Sequence, residues 1–188
     1  ILGAADVFAL MKEKGFEVPA WAEAKIAAYG AFYSAPAVIK SEAKAPVILS
    51  NDDAVLTDIG DGVACFSLKT KANTYTIPAG QLLLEAAKEV ESSESFKAMV
   101  VSNPGPNFGA GANLMAVMGA ITTGQFDALE AGVKTFQDAN MALKYLKKPV
   151  VVAAQGQALG GSAELVLHAG RVVAHQELYA GLVEIGVG

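Results

Sequence analysis

The sequence predicts an α/β domain preceded by a short helical appendage. Three observations predict it. Two β-rich segments, "AVLTDIG" and "GVACFSLKT", meet at "GDG", a hairpin signal. Two short apolar runs, "FKAMVVSN" and "PVVVAAQG", sit between turn residues as buried strands do. Segments of helical spacing alternate with them. A hairpin followed by alternating strands and helices implies right-handed crossovers and a layered core.

The elements follow in order. Residues 1–33 read as a helical hairpin. Val7, Leu10 and Met11 share one face, Gly15 suits a stop, and Pro19 suits a first helical turn before "AWAEAKIAAYG". Trp21, Phe32 and Tyr33 are expected to pack this appendage. Residues 34–50 read as a linker, because "SAPAVIKSEAKAP" is rich in Pro, Ala, Ser and Lys. Residues 51–188 form the main domain. After its hairpin, "PAGQLLLEAAKEVESS" is an amphipathic helix and "FKAMVVSN" a strand. A long helix places Phe126, Leu129, Val133, Phe136, Ala139, Leu143 and Leu146 on its apolar stripe. "PVVVAAQG" is the next strand, "GGSAELVLHAG" a short helix and "RVVAH" a third strand. No repeat of fixed period is present.

Composition excludes several classes. The chain has 188 residues, 53% hydrophobic and 18% charged, which is globular rather than disordered. The net charge of −5 comes without a basic stripe, so nucleic acid is not an expected partner. The longest apolar run, at 149–154, falls far short of the roughly 20 residues of a membrane span. The single cysteine, Cys65, cannot form an intrachain disulfide and suits a reducing, cytoplasmic setting. Its apolar neighbours mark it as a structural thiol. The chain starts at Ile1 with no basic n-region, so a signal peptide is not expected, and the start resembles the cut end of something longer. No His/Cys/Asp/Glu spacing suggests a metal.

Two glycine-rich turns carry the functional signal. Strand 97–102 runs into "NPGPNFGAGANL", and a helix is expected from about Ala112. Strand 149–154 runs through "GQALGGSAEL" into a helix starting near Gly160. Helix N-termini leave N–H groups unpaired and positive, and glycine lets a ligand oxygen come close. Two such turns could aim two N–H groups at one point, the construction of an oxyanion hole. Glu164 lies three residues beyond Gly161, on the same helix face.

"FGAGANL" followed by "KKPVVVAAQGQALGGSAEL" resembles the crotonase family, the enoyl-CoA hydratase/isomerase superfamily, over about residues 54–188. The resemblance implies a crotonase-like spiral of β-β-α units, here C-terminally truncated. It implies oxyanion donors at the N–H groups of Ala112 and Gly161 and a catalytic carboxylate at Glu164. "LVEIGVG" resembles the element that carries a second carboxylate, giving Glu184 and Gly188, with Val183 where a proline is usual. Lys71, Ala72, Ala110, Gly111, Leu114 and Gly160 are the implied CoA or substrate contacts. Asn113 stands where many relatives have Asp, and Ser162 replaces a third glycine. Residues 1–33, through "GFEVP" and "GAFY", resemble the end of a 3-hydroxyacyl-CoA dehydrogenase C-terminal domain. Together the resemblances imply a fragment of a bifunctional β-oxidation protein. No cofactor is expected on this fragment. "GAGANL" fails as a dinucleotide fingerprint because Leu114 takes the last glycine position, so NAD belongs to a parent domain outside it.

The implied chemistry is hydration of 2-enoyl-CoA. Water activation is assigned to Glu164 and proton delivery to C2 to Glu184, with the two roles interchangeable at this point. A double-bond isomerase and an inert scaffold that binds CoA esters are the alternatives. A homo-oligomer is compatible with the family. Each residue also has an ordinary reading. Lys71 is a solvated loop lysine, Glu164 a helix-start partner, Glu184 a surface residue, and "FGAGA" a packing turn. His168 and His175 read as structural, and Ser162 has no neighbouring base to make it a nucleophile.

Overall fold

The computed structural model describes residues 4–29 and 45–186, and the chain divides into two compact units, Ile1–Ala43 and Lys44–Gly188. The first unit contains α1 (Ala4–Glu13) and α2 (Ala20–Tyr29). Gly15, at φ +77°, ends α1: its N–H donates to Lys12 O and the Phe16 N–H to Met11 O, a Schellman closure. Pro19 O accepts the first N–H groups of α2, from Ala22 and Glu23. The Trp21 ring meets Phe8 edge-on at 6.3 Å and stays 62% exposed. Phe32, Tyr33 and most of the predicted linker lie outside the described residues.

The second unit is built on a six-stranded sheet in the order β1-β2-β3-β4-β5-β7. Strands β1 (Val47–Ser50), β2 (Ala54–Asp58) and β3 (Val63–Leu68) are antiparallel. The turn between β2 and β3 is the predicted "GDG", with Gly60, Asp61 and Gly62 all at positive φ. From β3 onward, β4 (Ala98–Ser102), β5 (Val150–Ala154) and β7 (Arg171–Ala174) pair in parallel. Helix α3 (Ile77–Ser92) links β3 to β4, starting on the Thr76 hydroxyl, which accepts from Ala79 N–H. Helices α4 (Leu114–Thr122) and α5 (Phe126–Tyr145) link β4 to β5. One sheet face carries Leu56, Phe66, Leu68, Met99, Val101, Val150 and Val152, and it packs with Leu83, Ala86 and Val90 of α3 and Ala139 and Leu143 of α5.

Burial alternates along β3, β4 and β5, as period-two pleating requires. Cys65 sits on the half-buried face, and burial holds its thiol above the ordinary value.

Three features differ from the sequence reading. The linker does not run to residue 50: "VILS" forms the edge strand β1, with Val47 opposite Thr57 and Ser50 opposite Val55. Its flanking Ala, Pro and Lys residues hid three successive apolar residues. A second, two-stranded parallel sheet was not expected, made of β6 (Gln157–Leu159) and β8 (Tyr179–Gly181). Both strands are three residues long, too short for a period to show. Third, α4 starts at Leu114 and not at Ala112, because Asn113 is its N-cap, accepting from Ala116 N–H at 3.3 Å. That leaves Ala112 in extended chain ahead of the helix.

Candidate active site

Loop 103–113 leaves the end of β4 and is fastened at every turn. Asn103 is buried and takes Leu68 N–H on its Oδ1 at 2.8 Å while its amide donates to Phe108 O at 2.6 Å. Gly109 exchanges bonds with β6, donating to Gln157 O at 2.9 Å and accepting from Leu159 N at 3.0 Å. Ala110 N–H donates to Ala72 O at 3.2 Å, in a 3₁₀ turn over Lys71–Asn73. Gly111 O accepts from Tyr75 N–H at 2.8 Å, and Asn113 N–H donates to Tyr75 O at 3.3 Å.

These bonds set the aim of the Ala112 amide. Its N–H and the Gly111 carbonyl belong to one trans peptide, so they point opposite ways. With the carbonyl tied to Tyr75, the N–H faces away from that segment. The second turn uses the same device. Gly160, at φ +51°, donates its N–H to Gly181 O of β8 at 2.9 Å, and its carbonyl accepts from Glu164 N–H at 3.1 Å. The Gly161 N–H therefore points back out of helix α6 (Gly161–Leu167). Among the described residues neither the Ala112 nor the Gly161 amide donates to a protein acceptor.

The two turns touch. A Cβ at Gly111 would stand 2.8 Å from Leu159 O and 3.4 Å from Gly161 N, and a Cβ at Gly161 would stand 3.8 Å from Ala112 N. Glycine at both positions is what lets the backbones approach. Both amides open onto a cavity of about 440 Å³, together with Glu164 and Glu184. Its remaining wall is mostly apolar, with Ile77, Ala116, Ala120, Leu129, Gly132 and Phe136 among its members.

Both carboxylates lie beside the turn that carries the Gly161 amide. Glu164 is half-buried, one turn into α6. Burial raises its pKa, the Glu184 carboxylate raises it further, and His168 opposes them. His168 is fixed by its own Nδ1, which lies 2.7 Å from Glu164 O. Glu184 lies in a 3₁₀ turn, Glu184–Gly186, and is exposed. Its carboxylate stands against Gly160, where any Cβ would overlap Oε1. Gly188, its expected companion, lies outside the described residues.

Four predicted residues thus line one cavity: Ala112, Gly161, Glu164 and Glu184. The six predicted contact residues do not form its wall. Lys71 and Ala72 sit in the 3₁₀ turn bordering loop 103–113, Ala110 and Gly111 are within that loop, and Gly160 backs Glu184. Leu114 starts α4 and is 56% exposed. His175 caps the end of β7 by its N–H, which donates to Ala154 O. Wall residues the sequence did not single out include Tyr75, Phe136 and Gly132. Tyr75 and Phe136 meet edge-on at 4.8 Å, and the Phe136 ring lies next to Gly161. Phe136 was legible only as one member of an apolar stripe. Among the described residues no group of three His, Cys, Asp or Glu is placed to hold a metal ion, and no helix is long and apolar enough to cross a membrane.

Comparison with known proteins gives consistent findings. The model of the family "Enoyl-CoA hydratase/isomerase" matches residues 58–188. A Bacillus subtilis protein named "Probable 3-hydroxyacyl-CoA dehydrogenase" is 38% identical over 142 residues, which are 76% of this chain and 18% of that protein. A Rickettsia felis protein, provisionally named a fatty acid oxidation complex trifunctional enzyme, is 39% identical over 142 residues, 76% of this chain and 19% of its own length. The chain therefore spans about a fifth of the length of these curated relatives. In fold it is similar to the crystal structure of an enoyl-CoA hydratase from Bacillus anthracis, with a TM-score of 0.66 and 22% identity over 72% of this chain and 52% of that one.

Proposed function

This chain belongs to the enoyl-CoA hydratase/isomerase family, and within that family we propose that it hydrates 2-enoyl-CoA thioesters to 3-hydroxyacyl-CoA in fatty acid β-oxidation. It does so as the hydratase part of a larger 3-hydroxyacyl-CoA dehydrogenase/enoyl-CoA hydratase protein in the cytoplasm. The observation that carries the reading is that two amides without a protein acceptor among the described residues and two carboxylates line one apolar-walled cavity. The names of the two long relatives support the parent arrangement.

The chemistry follows from what each group can do. Addition of water at C3 of the conjugated thioester puts negative charge on the thioester oxygen, as an enolate. The Ala112 and Gly161 amides receive that oxygen, and each such donor lowers the barrier by roughly 3–4 kcal/mol. Glu164 and Glu184 hold the water between them; Glu164 takes its proton and Glu184 delivers one to C2. Glu164 leaves the step protonated and Glu184 ionised, so passing one proton from the first to the second resets the pair. The raised pKa of Glu164 gives it a basicity closer to working pH than an ordinary carboxylate has. No cofactor is required, because the acyl-CoA brings the conjugated system and the residues move only protons.

The test follows the conjugated absorbance of crotonyl-CoA in the intact polypeptide that carries this chain. Loss of absorbance, with water incorporated at C3, is the expected result. No turnover of crotonyl-CoA or of longer 2-enoyl-CoAs would remove the assignment. Exposure of Glu184 favours one competing reading, a double-bond isomerase that works with Glu164 alone. Under that reading Glu184→Gln keeps full turnover of a 3-enoyl-CoA.

A further inference from the structure

Ser162 is buried to 0% exposure at the point where the two glycine turns meet. The third glycine of the resembling pattern is a hydroxyl here, and that hydroxyl is engaged. Its Oγ accepts from the Gly111 N–H at 3.1 Å. A Cβ at Gly109 would overlap the same Oγ, so loop 109–111 is wrapped tightly around it.

The bond sits between the carriers of the two cavity amides. Ser162 follows Gly161 directly, and Gly111 precedes Ala112 directly. Other bonds fix Gly109 and Ala110 to β6 and the 3₁₀ turn, but those lie upstream of Gly111. Gly111 itself, at φ +86°, has the torsional freedom of glycine. Rotation about its φ and ψ would swing the Ala112 N–H. Two bonds restrain it: the carbonyl is held by Tyr75 N–H and the amide by Ser162. Only the second ties it to α6, the element that carries the other donor.

We propose that Ser162 is a positioning residue, whose hydroxyl, by accepting from the Gly111 N–H, holds the Ala112 amide in register with the Gly161 amide so that both reach one oxygen. It touches no reacting atom and is not a nucleophile. The proposal rests on the oxyanion reading above and adds the residue that couples its two halves.

The experiment compares wild type with Ser162→Ala, which removes the acceptor at nearly constant volume, in the intact polypeptide. Three readouts are taken: crotonyl-CoA kinetics, the fraction of bound acetoacetyl-CoA in its enolate form by ultraviolet absorbance, and the affinity for saturated butyryl-CoA. Misplacing one donor loses part of the hundredfold or more that its full removal costs, so kcat is expected to fall about tenfold with KM within about twofold. The enolate fraction falls in step, and butyryl-CoA affinity stays within about twofold. A packing role alone would lower the melting temperature and move both ligands together, which overturns the proposal, as does an Ala variant with unchanged kcat and enolate fraction. If Ser162→Ala does not fold, hydrogen exchange at the wild-type Gly111 amide decides: protection is expected, and exchange as fast as at exposed loop amides overturns it. A wild type that ionises acetoacetyl-CoA without hydrating crotonyl-CoA removes the hydratase reading and leaves Ser162 to be judged on the enolate arm. A wild type that binds no acyl-CoA overturns both.

Discussion

Gly161→Ala separates the stability of this fold from its activity. Gly161 is the first residue of α6 and does not have a positive φ, so an alanine there meets no backbone strain. In a helix Ala is favoured over Gly by about 0.5–1 kcal/mol. Against that, the new Cβ would stand 3.1 Å and 3.2 Å from Cζ and Cε2 of Phe136, so the ring must give by a few tenths of an ångström. The two effects oppose, and net stability is expected to change by less than about 1 kcal/mol, or about 2–4 °C in melting temperature for a chain of this size. Activity behaves differently. The methyl carbon lies 3.8 Å from Ala112 N, and under the proposed function a substrate oxygen must sit between that amide and Gly161 N–H. Displacing that oxygen by one donor's worth costs roughly 3–4 kcal/mol, a fall in kcat of about 10²–10³. Calorimetry and the crotonyl-CoA assay on the same sample give both numbers. A variant that melts with wild type and keeps kcat within threefold would refute the convergence of the two amides.

The other expectations are briefer. Glu184→Gln removes a like charge from beside Glu164, so the Glu164 pKa falls toward the ordinary carboxylate range and any acid limb of the kcat/KM profile moves to lower pH. Under the hydratase reading the same variant loses about 10²-fold or more in hydration rate, and an unmoved acid limb with full hydration would contradict both statements. Gly132→Leu inserts a side chain where even a Cβ would stand 2.6 Å from Ile77 Cδ1; KM for 2-decenoyl-CoA is expected to rise about tenfold while crotonyl-CoA stays within about twofold, as competition kinetics will show. Asn103→Ala leaves Leu68 N–H and Phe108 O unpaired at a buried site, and urea unfolding is expected to register a loss of about 2–4 kcal/mol.

What the sequence shows and hides follows element length and chemistry. The hairpin at "GDG", helix α3 and helix α5 were legible because each combines a turn or cap signal with a long periodic run. Strands β6 and β8, at three residues each, carry no period, yet they place the second turn. The β6 strand anchors Gly109, and β8 holds Gly160 N–H through Gly181 O. Helix α4 starts two residues beyond the expected Ala112, because the small residues of "GAGAN" suggest a helix start while the side chain that caps it is Asn113. The site was legible as backbone, since glycine spacing marks where amides are bare. Its wall was not, since Tyr75, Gly132 and Phe136 come from other elements and meet only in the folded chain. Ser162 was visible as a departure, but its partner, Gly111, is far along the chain.

The same geometry ties function to an energetic cost in the empty fold. Gly161 is buried, and its amide has no protein acceptor among the described residues. A buried donor without a partner costs about 1–3 kcal/mol unless water reaches it. The Ala112 amide is on an exposed residue, so solvent from the cavity satisfies it more readily. The fold keeps both amides bare by spending their carbonyl partners elsewhere, Gly111 O on Tyr75 and Gly160 O on Glu164. Each peptide is thereby fixed in the empty fold, and under the proposed function little reorganisation is needed when charge develops on a substrate oxygen. A variant that supplies an internal acceptor to Gly161 N–H should therefore gain stability and lose turnover together. Gain without loss would mean that the bare amide is an accident of packing.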